Sequence, residues 1–142
     1  MKKNIISLLW LILCSTAVSA QVKTFQTVLE DENLVLNASD CVDRLRDNYL
    51  LWVRYDYKDK KTCKKEGKRD GVTGKPVRAE VLYEFDGPLL TYRIISKKYF
   101  DKHGIVLREK IYYQAPWNQV GENDYSLKLG IYMTHAFDIT AG

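Results

Sequence analysis

From Asn48 to Tyr57 the side chains carry a period of two over ten residues, and few folds accommodate that pattern. Tyr49, Leu51, Val53, Tyr55 and Tyr57 share one side, Leu50, Trp52, Arg54 and Asp56 the other, which is the repeat of a pleated strand and not of a helix. A second stretch, Val77 to Asp86, repeats the design, with Val77, Ala79, Val81, Tyr83 and Phe85 set against Arg78, Glu80, Leu82, Glu84 and Asp86. Two long strands, each more apolar on one side, call for an antiparallel sheet covered on one face.

The rest of the chain is read around that pair. Residues 21 to 37 carry Phe25, Val28, Leu34, Val35 and Leu36, enough for one or two short strands. Ser39-Asp40 precedes Cys41 to Leu45, which reads as one capped helical turn. Lys58 to Pro76, with Gly67, Gly71, Gly74 and Pro76 among charges, reads as a loop. Gly87-Pro88 breaks the second strand, and Thr91 to Phe100 resumes extended structure, with Tyr92, Ile94 and Ser96 opposite Arg93, Ile95 and Lys97. Asp101-Lys102-His103-Gly104 is a tight turn leading into a returning strand, Ile105 to Tyr113. After a second loop, Gln114 to Asn123, a cap at Asn123 or Asp124 opens a helix whose stripe is Leu129, Tyr132, Met133, Ala136 and Phe137. Gly130 inside that helix costs about 1 kcal/mol relative to Ala. The expected class is α+β: an antiparallel β-sheet of about five or six strands with a C-terminal helix packed on one face.

The first twenty residues belong to a different kind of segment. Lys2 and Lys3 precede an apolar run from Ile5 to Cys14, too short to anchor in a bilayer, and the run closes on Ala17-Val18-Ser19-Ala20. The pattern predicts a secretory signal peptide over residues 1–20, cleaved after Ala20, and a single domain over 21–142. Lipid attachment at Cys14 is disfavoured by Leu13, where such sites need a small residue. Export implies a periplasmic, outer-membrane-associated or secreted protein.

Loss of the two signal lysines takes the formal charge from +4 to +2, too near balance to steer the domain to nucleic acid. Two cysteines remain, Cys41 and Cys63, in a compartment that permits oxidation. One intramolecular disulfide is expected, against two free thiols or an intermolecular bridge. The strand lying between them spans about 30 Å, so both flanks would have to fold back along it.

No constellation for catalysis is present in the sequence. His103 sits in a turn and His135 near a helix end, neither at metal-ligand spacing from another His or Cys. Cys63 among lysines lacks an evident base. Gly71-Val72-Thr73-Gly74 lacks the strand and the lysine-hydroxyl pair of a phosphate loop. A non-enzymatic protein needing no cofactor or metal is therefore expected.

Two features point to binding. Lys58, Lys60, Lys61, Lys64, Lys65, Lys68 and Arg69 stand against only Asp59 and Glu66. They form either an anion or acidic-partner surface or a solvated loop that keeps a sheet edge from aggregating. The second feature is aromatic: Trp52, Leu82, Ile95, Tyr99 and Tyr112 fall on the sheet side away from the helix. That side is either a partner or homodimer surface or is covered by loops and the N-terminal segment.

A family resemblance rests on Leu82-Tyr83-Glu84-Phe85-Asp86, Tyr92-Arg93-Ile94-Ile95-Ser96 and Tyr99-Phe100-Asp101-Lys102-His103-Gly104-Ile105-Val106-Leu107, continuing into Pro116-Trp117 and Ser126. With Asn48 to Tyr55 upstream, these segments resemble the surface-adhesin protein E-like family. The pattern departs where the family carries a cysteine closing the Phe-Asp strand. Here that position is Gly87, and no cysteine follows Cys63. The resemblance implies an exported, adhesin-like binding module of the bacterial envelope whose partner is a host matrix or envelope protein. Two other readings stay open: a periplasmic inhibitor or immunity-type protein, and a carrier of a small, haem-like ligand contacted by Tyr99, Tyr112 and His103.

Overall fold

The computed structural model describes residues 23–142, so the expected signal segment and the mature terminus at Gln21 lie outside the described residues. One antiparallel sheet contains β1 (Phe25–Glu30), β2 (Leu34–Ser39), β3 (Asp43–Leu45), β4 (Asn48–Tyr57), β5 (Arg78–Phe85), β6 (Thr91–Phe100), β7 (Val106–Ile111) and β8 (Asn118–Gln119). Helix α1 (Lys60–Arg69) joins β4 to β5, and α2 (Asp124–Ala136) follows β8. The strands run in the order β1-β2-β4-β5-β6-β7, with β3 paired to the start of β4 and β8 to the start of β6. The α+β class is as expected, and the sheet curls into a half-barrel around one core.

Register explains the curl's contents. Leu36, Tyr55, Ala79 and Tyr99 form one row across four strands, and Ala38, Val53 and Val81 form the next. All seven are buried. Fully burying Leu36, Val53 or Val81 contributes about 1.5–3 kcal/mol each, so these rows stabilise the sheet's one preferred registration. The Tyr55 and Tyr83 hydroxyls bond each other inside the core, which satisfies polar atoms that no water reaches.

Helix α2 forms where its periodicity places it. The Asn123 side chain accepts from the Ser126 amide at 2.8 Å, and Leu129 and Met133 are wholly buried in the core. Tyr132 and Phe137 are half-buried and Ala136 is exposed, so the covering stripe is narrower than its spacing implied. Gly130 has a packing reason: a Cβ there would meet Val120 Cγ1 at 3.0 Å.

Three expectations are corrected. Asp43–Leu45 is a strand, not a helical turn: it pairs with Asn48–Leu50 through a short connection in which Arg46 adopts φ 58°. Lys60–Arg69 is a helix, not a loop. Asp59 caps it by accepting from the Lys61 amide at 2.9 Å and the Thr62 hydroxyl at 3.1 Å, and Cys63 and Gly67, four apart, form its buried seam. Lys68 and Arg69 sit favourably at its C-terminal end. Finally, Cys41 and Cys63 do not pair; both are free, the first exposed and the second buried. Cys41 follows β2 beside the start of β4, whereas Cys63 lies in α1 past its end, so the central strand separates them.

Candidate functional site

At one end of the sheet, β4 runs into α1, β5 begins, and β6 turns into β7. The register Asp56↔Arg78↔Phe100↔Val106 fixes that convergence. Between α1 and the β6–β7 turn lies a cleft of about 590 Å³. Its α1 wall carries Lys60, Lys61 and Lys64, its far wall Asp101, Lys102 and His103, and Lys75 closes one end. The floor is apolar, made by Pro76, Val77 and Leu107, with Gly74 beside the Leu107 methyls.

The charge in this cleft is not balanced from within. Among the described residues, none of the five lysines has a carboxylate within ion-pair distance. The one acid lining the cleft is occupied: Asp101 Oδ1 accepts from the His103 amide at 2.8 Å and the Ile105 amide at 2.9 Å. The Ile105 amide is the largest influence holding that carboxyl below its ordinary pKa. Lys60 and Lys61 also occupy the first turn of α1, the positive end of the helix, with no acid inside that turn to offset them.

The opposite side of α1 is organised by a second polar cluster. Asp70, the C-cap residue, accepts from Tyr99 Oη at 2.5 Å, Lys110 Nζ at 3.1 Å and Tyr112 Oη at 3.4 Å, with Lys97 Nζ at 3.8 Å. Lys97 also reaches Glu66 at 3.4 Å. Burial alone would raise the Asp70 carboxyl, but hydrogen bonds from Tyr99 and Lys110 and the nearby ammonium charges outweigh it and hold the group below its ordinary value. Burial first, and then Asp70 itself, pushes Tyr112 up to about 12 and Tyr99 further up. Cys63 lies on the buried side of the same helix, where burial pushes its thiol up to about 12 against the partial pull of Lys97. At neutral pH it is therefore a packed thiol, not the thiolate that nucleophilic attack requires.

This cluster corrects the proposed open face. Tyr99 and Tyr112 were expected beside Trp52 but lie on the concave side, bound to Asp70. The cause is a β-bulge: Tyr83 pairs with Ile94 and Leu82 with Ser96, leaving Ile95 as the extra residue. Beyond it every side chain of β6 changes sides, so Lys97 and Tyr99 face the core and Ser96 turns away. Trp52 and Leu82 do share the convex face, as expected, directly paired and half-buried. Lys23 lies 4.0 Å and Lys98 5.5 Å from the Trp52 ring. Alongside, Arg54, Glu80, Lys98 and Glu109 cross the strands as a row of alternating charge, not as a continuous apolar patch.

Of the basic segment, Lys60, Lys61 and Lys64 line the cleft, whereas Lys58 pairs with Glu30 at 2.8 Å. Lys65, Lys68 and Arg69 are exposed elsewhere on α1. The haem-like ligand set does not assemble: His103 lines the cleft, while Tyr99 and Tyr112 are engaged with Asp70. Lys75, Lys102 and Leu107 were missed. Each lies close to a turn glycine, Gly74 or Gly104, but only the register of β5, β6 and β7 shows that these turns meet α1. Among the described residues no group of three His, Cys, Asp or Glu side chains is placed to hold a metal ion. Compared with family models, curated proteins and solved structures, the chain matches none.

Proposed function

We propose that the chain is an exported, non-enzymatic binding module that holds an anionic group of its partner in the cleft between α1 and the β6–β7 turn. The observation carrying this reading is the convergence of five lysines, from three separate segments, on one concavity that holds a single carboxylate, Asp101, and no ion pair to any of the five among the described residues. Like charges gathered this way repel, and a ligand anion relieves that repulsion. The resemblance to the surface-adhesin protein E-like family supports the same class of role, a binding module of the bacterial envelope. The partner chemistry follows from the charge: phosphate, sulfate or clustered carboxylates.

The test is a titration of the purified protein with pyrophosphate at low ionic strength, repeated in added salt. Binding is expected to weaken steeply with salt, and replacing Lys60, Lys61, Lys64 and Lys65 by Gln should lower affinity by about tenfold or more. Equal affinity of the variant and the natural protein at low salt ends this reading.

A further inference from the structure

The cleft is not uniformly polar, and its two chemistries are separated in space. The lysines stand on its walls and end, while Pro76, Val77 and Leu107 form a floor from two segments, the residues leading into β5 and strand β7. Gly74, at φ 106°, borders that floor, and a Cβ there would lie in ordinary contact with Leu107 Cδ2 at 3.5 Å. A surface evolved only to repel aggregation or to touch a polyanion needs the cationic walls but gains nothing from an apolar floor beneath them. The volume of about 590 Å³ matches the range of roughly 300–1,000 Å³ typical of small-molecule sites.

We propose that the ligand of this cleft is an amphiphile headed by a phosphate or sulfate, its oxyanion held by Lys61, Lys64 and Lys102 and its apolar portion seated on Val77 and Leu107. This deepens the binding-module reading and rests on it. A multiply charged head fits better than a single carboxylate, because five lysines face one acid that its own turn already occupies. An apolar tail fits better than a bare ion, because water over Val77 and Leu107 is released only when carbon covers them.

Dodecyl phosphate below its micelle-forming concentration, pyrophosphate and dodecyl maltoside are titrated in parallel against the full chain by calorimetry. Dodecyl phosphate is expected to bind at least tenfold more tightly than pyrophosphate, about 1.4 kcal/mol, which burial of two methylenes supplies. Dodecyl maltoside should not bind. Leu107→Ser should remove the advantage of dodecyl phosphate over pyrophosphate, with circular dichroism and the urea midpoint reporting that the variant has folded. Lys61→Gln with Lys102→Gln should weaken both anions. Sedimentation with phosphatidylcholine vesicles containing phosphatidic acid distinguishes a bilayer lipid from a free amphiphile, and either source supports the proposal. Pyrophosphate binding with no gain from the dodecyl tail overturns the amphiphile and spares the anion site. Binding of neither anion overturns both.

Discussion

The two helices are attached to the same concave sheet by opposite means. Helix α2 inserts Leu129 and Met133, both without exposed surface, into the apolar core. Helix α1 inserts only Cys63 and Gly67 and is otherwise attached through polar groups: Glu66, which meets Lys97, and Asp70 at its C-terminal end, which grips Tyr99, Lys110 and Tyr112. Apolar attachment is distributed over area and direction-free, whereas polar attachment rests on a few oriented groups. The difference leaves α1 free to devote most of its surface to charge.

The largest effect expected from breaking this contrast is in α2. Met133→Ala should cost about 2–5 kcal/mol of stability, as cavity-forming core substitutions do, seen as a lower urea midpoint. Because the helix sits away from the cleft, pyrophosphate affinity of the folded fraction should be unchanged. A cost well under 1 kcal/mol would show that α2 is attached by its polar contacts, Tyr132 to the Ser39 carbonyl and Tyr125 to Asp31, after all.

An intermediate effect is expected at the latch of α1. Asp70→Asn keeps the shape but loses the charge that Lys97 and Lys110 face, and hydrogen bonds to a charged group are worth about 1.5–3 kcal/mol. The pH dependence follows in sign. A carboxyl held below its ordinary value contributes fully above about pH 4 and loses that contribution as pH falls through its depressed folded value. Glu66, the other acid on this helix facing Lys97, remains in both proteins, as do Lys97, Lys110, Tyr99 and Tyr112. The stability gap between natural protein and variant, from urea midpoints, should therefore be wider at pH 7 than at pH 3. A gap that is the same at both values would show that the Asp70 charge is not what holds α1.

The contrast also explains which parts of the fold could be read from residues alone. The alternation in β4 and β5 and the stripe of α2 come from apolar burial, which leaves a period in the sequence, and both are found where the period puts them. Helix α1 is hidden by its composition instead: with only Cys63 and Gly67 buried, so few apolar residues among lysines look like a loop. The bulge at Ile95 is equally silent: nothing in Tyr92 to Tyr99 marks the residue at which sides exchange, and one extra residue moved Tyr99 from the supposed open face into the core. Tyr112 followed it for the same reason, since β7 takes its register from β6. Half of the cleft was therefore visible as a run of lysines, and the other half depended on which turns the sheet brings to that end.

The smallest effect on stability, and the sharpest separation of the two helices, is expected from the outer surface of α1. Lys60, Lys61, Lys64 and Lys65 are exposed and make no ion pair among the described residues, so replacing all four by Gln removes no contact that holds the helix. Lys60 and Lys61 stand at the positive end of the helix dipole, and mutual repulsion acts among all four. The urea midpoint of the variant at low salt should accordingly be unchanged or slightly higher than that of the natural protein. Added sodium chloride should stabilise the natural protein more than the variant, because screening relieves a repulsion that only the former carries. Pyrophosphate should likewise raise the melting temperature of the natural protein alone. If the variant were instead clearly less stable at low salt, the lysines would be part of the attachment of α1, and the division between a latched inner side and a free cationic outer side would fail.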